Sequence, residues 1–165
     1  MNADTAMLAL GVQTIAVVIS AKGVVASISW SRIVARRRTT IDMVLAEQTK
    51  DELLVLRSKF LEAAKNNKLL ELSQGRNWLS AESFPLVSTL NRYEITAIGI
   101  AEGIIDERIY KRYWRTSLVR DWLRCQEAVR SRRSEFGKNL FSEFESLARK
   151  WANQSELAEF IPKSN

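Results

Sequence analysis

Apolar residues recur along this chain in steps of three and four, and no alternating run of useful length appears, so the pattern predicts helices throughout. The first apolar run is the longest. Thr5 to Ser31 carries a single charge, Lys22, and Thr5 to Ala21 carries none. A charge-free run of that length is slightly short of the ~20 residues that cross a bilayer. The span therefore has to continue past Lys22 through Val24, Val25, Ala26 and Ile28. The expectation is one transmembrane helix over residues 5–31, with Lys22 snorkelling toward headgroups and Trp30 at the interface. Arg32, Arg36, Arg37 and Arg38 then form a basic juxtamembrane segment, 32–38. Four arginines after the span, against only Asp4 and the α-amino group before it, predict an outside N-terminus and a cytoplasmic C-terminal domain, a single pass through the inner membrane. A cleaved signal peptide would show the opposite charge order. Two other readings compete: a core helix of a soluble protein, and an interfacial helix, for which Gln13, Thr14, Ser20 and Lys22 supply too little polar face.

Residues 39–161 read as a small helical domain. Thr39 or Thr40 is placed to cap a helix, with Asp42 in its first turn and Ile41, Val44 and Leu45 on its apolar side. Thr49-Lys50-Asp51-Glu52 has capping-box spacing and restarts a second helix through Leu53, Leu56, Phe60, Leu61 and Ala64, weakened at Asn66-Asn67. Gly75 and Asn77 signal a turn, with Trp78 docking back. Pro85 suits the first turn of a helix that carries Leu86, Val87, Leu90, Tyr93, Ala97, Ile98 and Ala101 and stops at Gly103. Asp106 caps a helix with Ile109, Tyr110, Tyr113 and Trp114, and Thr116 or Ser117 is expected to cap another with Leu118, Val119, Trp122 and Val129. The chain breaks near Gly137. A last helix carries Leu140, Phe141, Phe144, Leu147, Ala148 and Trp151, and Pro162 ends the ordered part. The fold class is all-α: an N-terminal single transmembrane helix followed by a cytoplasmic helical bundle.

Charge sharpens this picture. The chain is 165 residues long with net charge +6. Residues 1–38 hold five basic residues and one acid, and everything after them adds only +2. Most of the excess therefore sits where an anionic inner leaflet would attract it, and the lipid bilayer is an expected partner. There is no histidine, which removes imidazole acid–base chemistry, Ser-His-Asp systems and His-containing zinc sites. The single Cys125 forms no internal disulfide or multi-thiolate site and reads as an apolar filler. No glycine-rich phosphate loop or dinucleotide fingerprint occurs. No catalytic, cofactor-binding or metal residue is expected, and the chain does not read as an enzyme.

Two features remain as candidate chemistry. Glu94 lies on the apolar stripe of Val87, Leu90, Ala97, Ile98 and Ala101, so its carboxylate must be paired or protonated. Arg108, Arg112, Arg115, Arg120 and Arg124 are the available cations, and an internal ion pair that orients helices is the favoured reading over a site carboxylate or an oligomer contact. Residues 108–133 hold nine Arg/Lys against two acids, with Tyr110, Tyr113, Trp114 and Trp122 interleaved. A phosphate-binding face is one reading. A solvated helix face is the other and is preferred, because the aromatics fall at core-like spacing and residues 39–107 are net acidic.

The run Leu90 to Trp122 resembles a family of bacterial and phage proteins known as a domain of unknown function. The resemblance rests on Arg37-Arg38-Thr39-Thr40-Ile41-Asp42, on Leu90, Asn91, Glu94, Ala97, Gly99 and Ile100, on Gly103, Ile104, Asp106 and Glu107, and on Trp114, Ser117, Arg120 and Trp122. It implies an all-α cytoplasmic domain on a membrane anchor and carries over no catalytic residue. The expected function is a membrane-anchored helical interaction protein with an envelope, phage-defence or superinfection role, binding a protein partner or another copy of itself. Asn91, Glu94, Arg108, Arg112, Arg120 and Trp122 are the candidate ion-pair or interaction residues. The alternative is a membrane-tethered nucleic-acid or nucleotide sensor that uses the basic 108–133 stretch.

Overall fold

The computed structural model of the chain describes residues 3–160, and for residues 3–19, 21, 76 and 79 it describes the backbone only. Helix α1 runs from Ala3 to Thr49, followed by α2 (Asp51–Lys65), α3 (Leu69–Ser73), a 3-10 turn (Gly75–Leu79), α4 (Phe84–Ala101), α5 (Glu107–Phe136), α6 (Ser142–Trp151) and α7 (Gln154–Ala158). The chain divides into two units, one ending at Arg38 and one beginning at Thr39. Residues 3–38 of α1 make up the first, and residues 39–49 belong to the second.

In the first unit Val24, Val25, Ile28, Trp30 and Val34 are exposed. Among the described residues no helix is long and apolar enough to cross a membrane. This overturns the transmembrane helix expected over 5–31. The inner-membrane single-pass placement falls with it, and the anchor roles expected for Lys22, Trp30, Arg32, Arg36, Arg37 and Arg38 rested on that span. The physical reason is the composition after the uncharged run. Lys22, Gly23, Ser27, Ser29, Ser31 and Arg32 interrupt Val24, Val25, Ala26 and Ile28, so the apolar stretch does not reach the length that a hydrocarbon layer of about 30 Å requires. The side chains of residues 5–19, on which that expectation also leaned, lie outside the described residues.

The second unit is an all-helical bundle. Helix α4 packs on α2 and α6, and α5 packs on α3 and α6. Its interior holds Phe60 of α2, Leu86, Leu90 and Tyr93 of α4, Tyr110, Leu118, Val119, Trp122 and Val129 of α5, and Phe144, Ala148 and Trp151 of α6. Tyr93 stacks on Phe144 at 4.7 Å between centroids, and Trp122 meets the same ring edge-on at 5.0 Å, so one phenylalanine joins α4, α5 and α6. Trp78 does dock back, lying beside Phe141 and under Arg132.

Several boundaries follow from local chemistry. Asn67 takes a left-handed conformation where α2 ends. Helix α4 closes in a Schellman motif: Gly103 has φ +69°, its N–H donates to the Ile100 carbonyl, and the Ile104 N–H donates to the Gly99 carbonyl. Asp106 caps α5 by accepting from the Ile109 N–H at 3.2 Å. Three expectations are corrected. Thr39-Thr40 caps nothing, because α1 continues through it. The Thr40 hydroxyl is fully buried and accepts from the Asp106 N–H at 2.8 Å. Thr49 and Glu52 form no capping box, since the Thr49 hydroxyl donates back to the Leu45 carbonyl. Thr116-Ser117 does not split α5, which is one thirty-residue helix up to Gly137. No glycine or proline interrupts α5, and a continuous apolar stripe on its buried face holds it straight through. Pro162 lies outside the described residues.

Candidate docking surface and the buried polar network

Asp106, which caps α5, Glu145, Asp121 and Glu47 are the buried carboxylates among the described residues of the second unit, and sequence reasoning singled out neither of the last two. Asp121 of α5 is fully buried. It accepts from the Tyr93 hydroxyl at 2.9 Å, from Arg124 at 3.1 Å and from Arg57 of α2, so it ties α2, α4 and α5 together. Glu47 of α1 is buried against α4 and α5. It accepts from the Tyr110 hydroxyl at 3.4 Å and lies 3.7 Å from the Arg92 guanidinium. Burial pushes the Glu47 carboxyl above its usual range despite the opposing pull of Arg92. Burial, and the nearby charges of Asp121 and Glu47 respectively, also push the Tyr93 and Tyr110 phenols upward, so both remain protonated donors. Burial beside Asp121 pushes the Cys125 thiol up and leaves it an unreactive filler. Apart from Arg124, which shares α5 with Asp121, the donors to Asp121 and Glu47 come from neighbouring helices, so the network's chemistry is to hold helices in register. The signal was present: Asp121 shares an apolar stripe with Leu118, Trp122 and Cys125, the same pattern that drew attention to Glu94.

Glu94 is half-buried, and its partner is not an arginine. Its two carboxylate oxygens accept the N–H groups of Glu143 and Phe144, at 3.2 and 2.7 Å. Those are orphan donors in the first turn of α6, whose own N-cap residue, Phe141, supplies no side-chain acceptor. Glu94 is thus a helix cap delivered from another element, where the helix dipole also favours a negative charge. The expected internal ion pair of Glu94 with the α5 arginines is replaced by this contact. Asn91, Arg108, Arg112 and Arg120 are exposed, while Trp122 is core. Of the other cations, Arg115 holds Glu156 and the Trp151 carbonyl, Arg124 holds Asp121, Arg132 holds Glu135, and Arg133 holds Glu145. Tyr110, Trp114 and Trp122 are buried, which leaves Tyr113 as the exposed aromatic of the basic stretch.

The surface that α5 presents at its start has two parts. An open groove of about 370 Å³ is lined by Ile41, Val44 and Leu45 of α1 with Ile109, Arg112 and Tyr113 of α5. Beside it an open depression of about 400 Å³ is lined by Arg108, Lys111, Arg112, Tyr113, Arg115 and Thr116. Arg112 and Tyr113 border both. The Tyr113 ring is propped edge-on against buried Trp114, 5.4 Å between centroids, and is 55 % exposed. Ile41 and Leu45 are about half exposed. The basic side is framed by contacts that take nearby charges out of play: Glu107 accepts from Lys150 at 2.8 Å and from the Trp151 indole at 2.9 Å. Among the described residues no cluster of acids or thiols converges to hold a metal.

The sequence pattern of the family described as Domain of unknown function (DUF4760) matches residues 7–151. The chain belongs to that family. No curated protein and no solved structure matches it. The DUF4760 match spans α1 to α6 and so contains every residue of the groove, of the buried network and of the Glu94 cap.

Proposed function

We propose that this DUF4760 chain is a helical protein-interaction module that docks a segment of a partner protein at the α1/α5 groove. The observation that carries the reading is the groove itself: a contiguous apolar surface built from Ile41, Val44, Leu45, Ile109 and Tyr113, left open beside a cationic rim. Exposed apolar area gathered in one concavity marks interaction sites more often than scattered exposed residues do. The buried carboxylates support the reading indirectly, because their donors are all internal to the fold. The basic stretch gives weaker support to a nucleic-acid surface. Four of its nine cations are engaged by acids of the chain, and its aromatics are mostly core rather than stacking platforms.

The reading is tested by placing a photo-crosslinking side chain at Tyr113, at Leu45 and, as a remote control, at Arg130. Discrete protein adducts from the two groove positions, absent at Arg130 and competed by the uncrosslinked chain, are expected. Identical adducts from all three positions, or none, would reject it.

A further inference from the structure

We propose that the occupant of this surface is an acidic amphipathic helix of a partner protein, its apolar side in the α1/α5 groove and its carboxylates on Arg108, Lys111 and Arg112. The inference rests on the docking reading above and adds the chemistry of the partner.

Shape decides against a small ligand. Such molecules bind in concavities that enclose most of their surface, and both depressions here are open. Backbone chemistry decides against an extended peptide. Adding a strand requires an unpaired sheet edge, and no strand occurs among the described residues. The groove is instead walled by side chains of two helices, which suits a third helix presenting apolar residues at three- and four-residue spacing.

Charge decides the partner's sign. Arg108, Lys111 and Arg112 fall on one face of α5, and Arg112 reaches both the basic and the apolar part. Arg115, the fourth cation there, is held by Glu156, while Lys111 lies 5.8 Å from the Trp151 ring centre with its ammonium over the ring. Glu107 is occupied by Lys150 and Trp151, Asp42 has an interaction of its own, and Glu47 is buried. A carboxylate-bearing helix would therefore meet outward-facing cations with the competing acids already engaged. A second copy docking face to face would bring this same cationic face to both sides of the interface with no carboxylates to meet it, which opposes association. A nucleic-acid strand would use the cations but leave Ile41, Leu45 and Ile109 without an apolar counterpart.

The test uses the full chain and three synthetic amphipathic peptides of about five helical turns, identical on their leucine face and carrying Glu, Gln or Lys on the flanks. Binding is read by fluorescence anisotropy. The Glu peptide is expected to bind saturably and at least about tenfold more tightly than the Lys peptide. Its affinity should fall as salt rises from about 50 to about 500 mM, since rim charges are screened. Arg112→Glu should weaken the Glu peptide about tenfold and improve the Lys peptide, a reversal that mere misfolding would not produce. Tyr113→Ala should weaken all three peptides, and Arg130→Glu, farther along α5, should change none. If the Glu, Gln and Lys peptides bind alike but all depend on Tyr113, the acidic partner is wrong while the docking groove stands. If no peptide shows dependence on Tyr113, both fail. A dimer in sedimentation that Tyr113→Ala converts to monomer would name a second copy as occupant and overturn the proposal.

Discussion

Asp121, Glu145 and Glu47 are buried acids, and pH acts on the last two in opposite senses. Burial raises the Glu145 carboxyl, but hydrogen bonds from Arg133 and Arg149 outweigh it and hold the group below its usual 4.5. A depressed native value contributes stability above about pH 4.5 that is lost as pH falls through the native value. Glu145→Gln should therefore lower stability at neutral pH, and the gap to wild type should close on acidification, as followed by urea unfolding from about pH 7 to about pH 3. Glu47 is raised by burial against the pull of Arg92. Its penalty is absent below pH 4.5 and appears as pH rises through the native value. Glu47→Gln should unfold no more easily than wild type at neutral pH, and any advantage should shrink toward pH 4.5, measured as Tm against pH. Asp121 differs again because it is the common acceptor of Arg57, Tyr93 and Arg124. Asp121→Asn leaves the Arg57 guanidinium short of its counter-charge and should cost about 3–5 kcal/mol in urea unfolding. Replacing Arg57 with Met in the same chain should recover part of the loss.

Helix ends explain how the elements are held, and the sequence shows some of these ends better than others. Gly103 and Asp106 are legible without a structure, because an αL stop favours glycine and an N-cap favours a short acceptor. Gly103→Ala should cost about 1–2 kcal/mol, the penalty of a side chain at positive φ, seen as a lower unfolding midpoint with an unchanged denaturant slope. The start of α6 is not legible, since Phe141-Ser142-Glu143 offers no capping side chain in register. The cap comes from Glu94, about fifty residues earlier in the chain, reaching the Glu143 and Phe144 N–H groups. Glu94→Ala should destabilise by about 1–2 kcal/mol, as lost caps do. Glu94→Gln, which keeps an acceptor but loses the charge, should cost less. Amide exchange concentrated in the first turn of α6 would locate the effect, whereas uniform exchange would reject the cap. The unbroken α5 teaches the converse. Thr116 and Ser117 have capping side chains, but nothing forces a break there, so the apolar stripe from Tyr110 to Val129 prevails.

For the second unit as a whole, the groove and the core should separate in experiment. Tyr113 and Leu45 are exposed, so Tyr113→Ala and Leu45→Asp should shift stability by less than about 0.5 kcal/mol, as surface substitutions do. Trp122 is buried against Phe144, and Trp122→Ala should cost about 3–5 kcal/mol. A large stability loss from both groove variants would mean that the groove is a load on folding rather than a surface kept for a partner. In the first unit Trp30 is exposed beside Val24, Val25, Ile28 and Val34, and nothing in the structure shows what covers that face.

The all-α class, the ends of α4 and α5 and the core stripes of α4, α5 and α6 were determined by the sequence alone, because period, caps and breakers are local and each residue carries its own preference. Membership of a domain-of-unknown-function family was likewise legible, and the DUF4760 match over residues 7–151 bears it out. The apolar length of the first run misled, because uncharged residues were counted across Lys22 and the serines that follow it. Three things were decided only by tertiary structure: which donor meets Glu94, which donors from other helices meet Glu47 and Asp121, and that Ile41 and Leu45 face Ile109 and Tyr113 across an open groove. Each depends on distance in space between residues far apart in the chain, and helical period fixes the face a residue occupies without naming what packs against it.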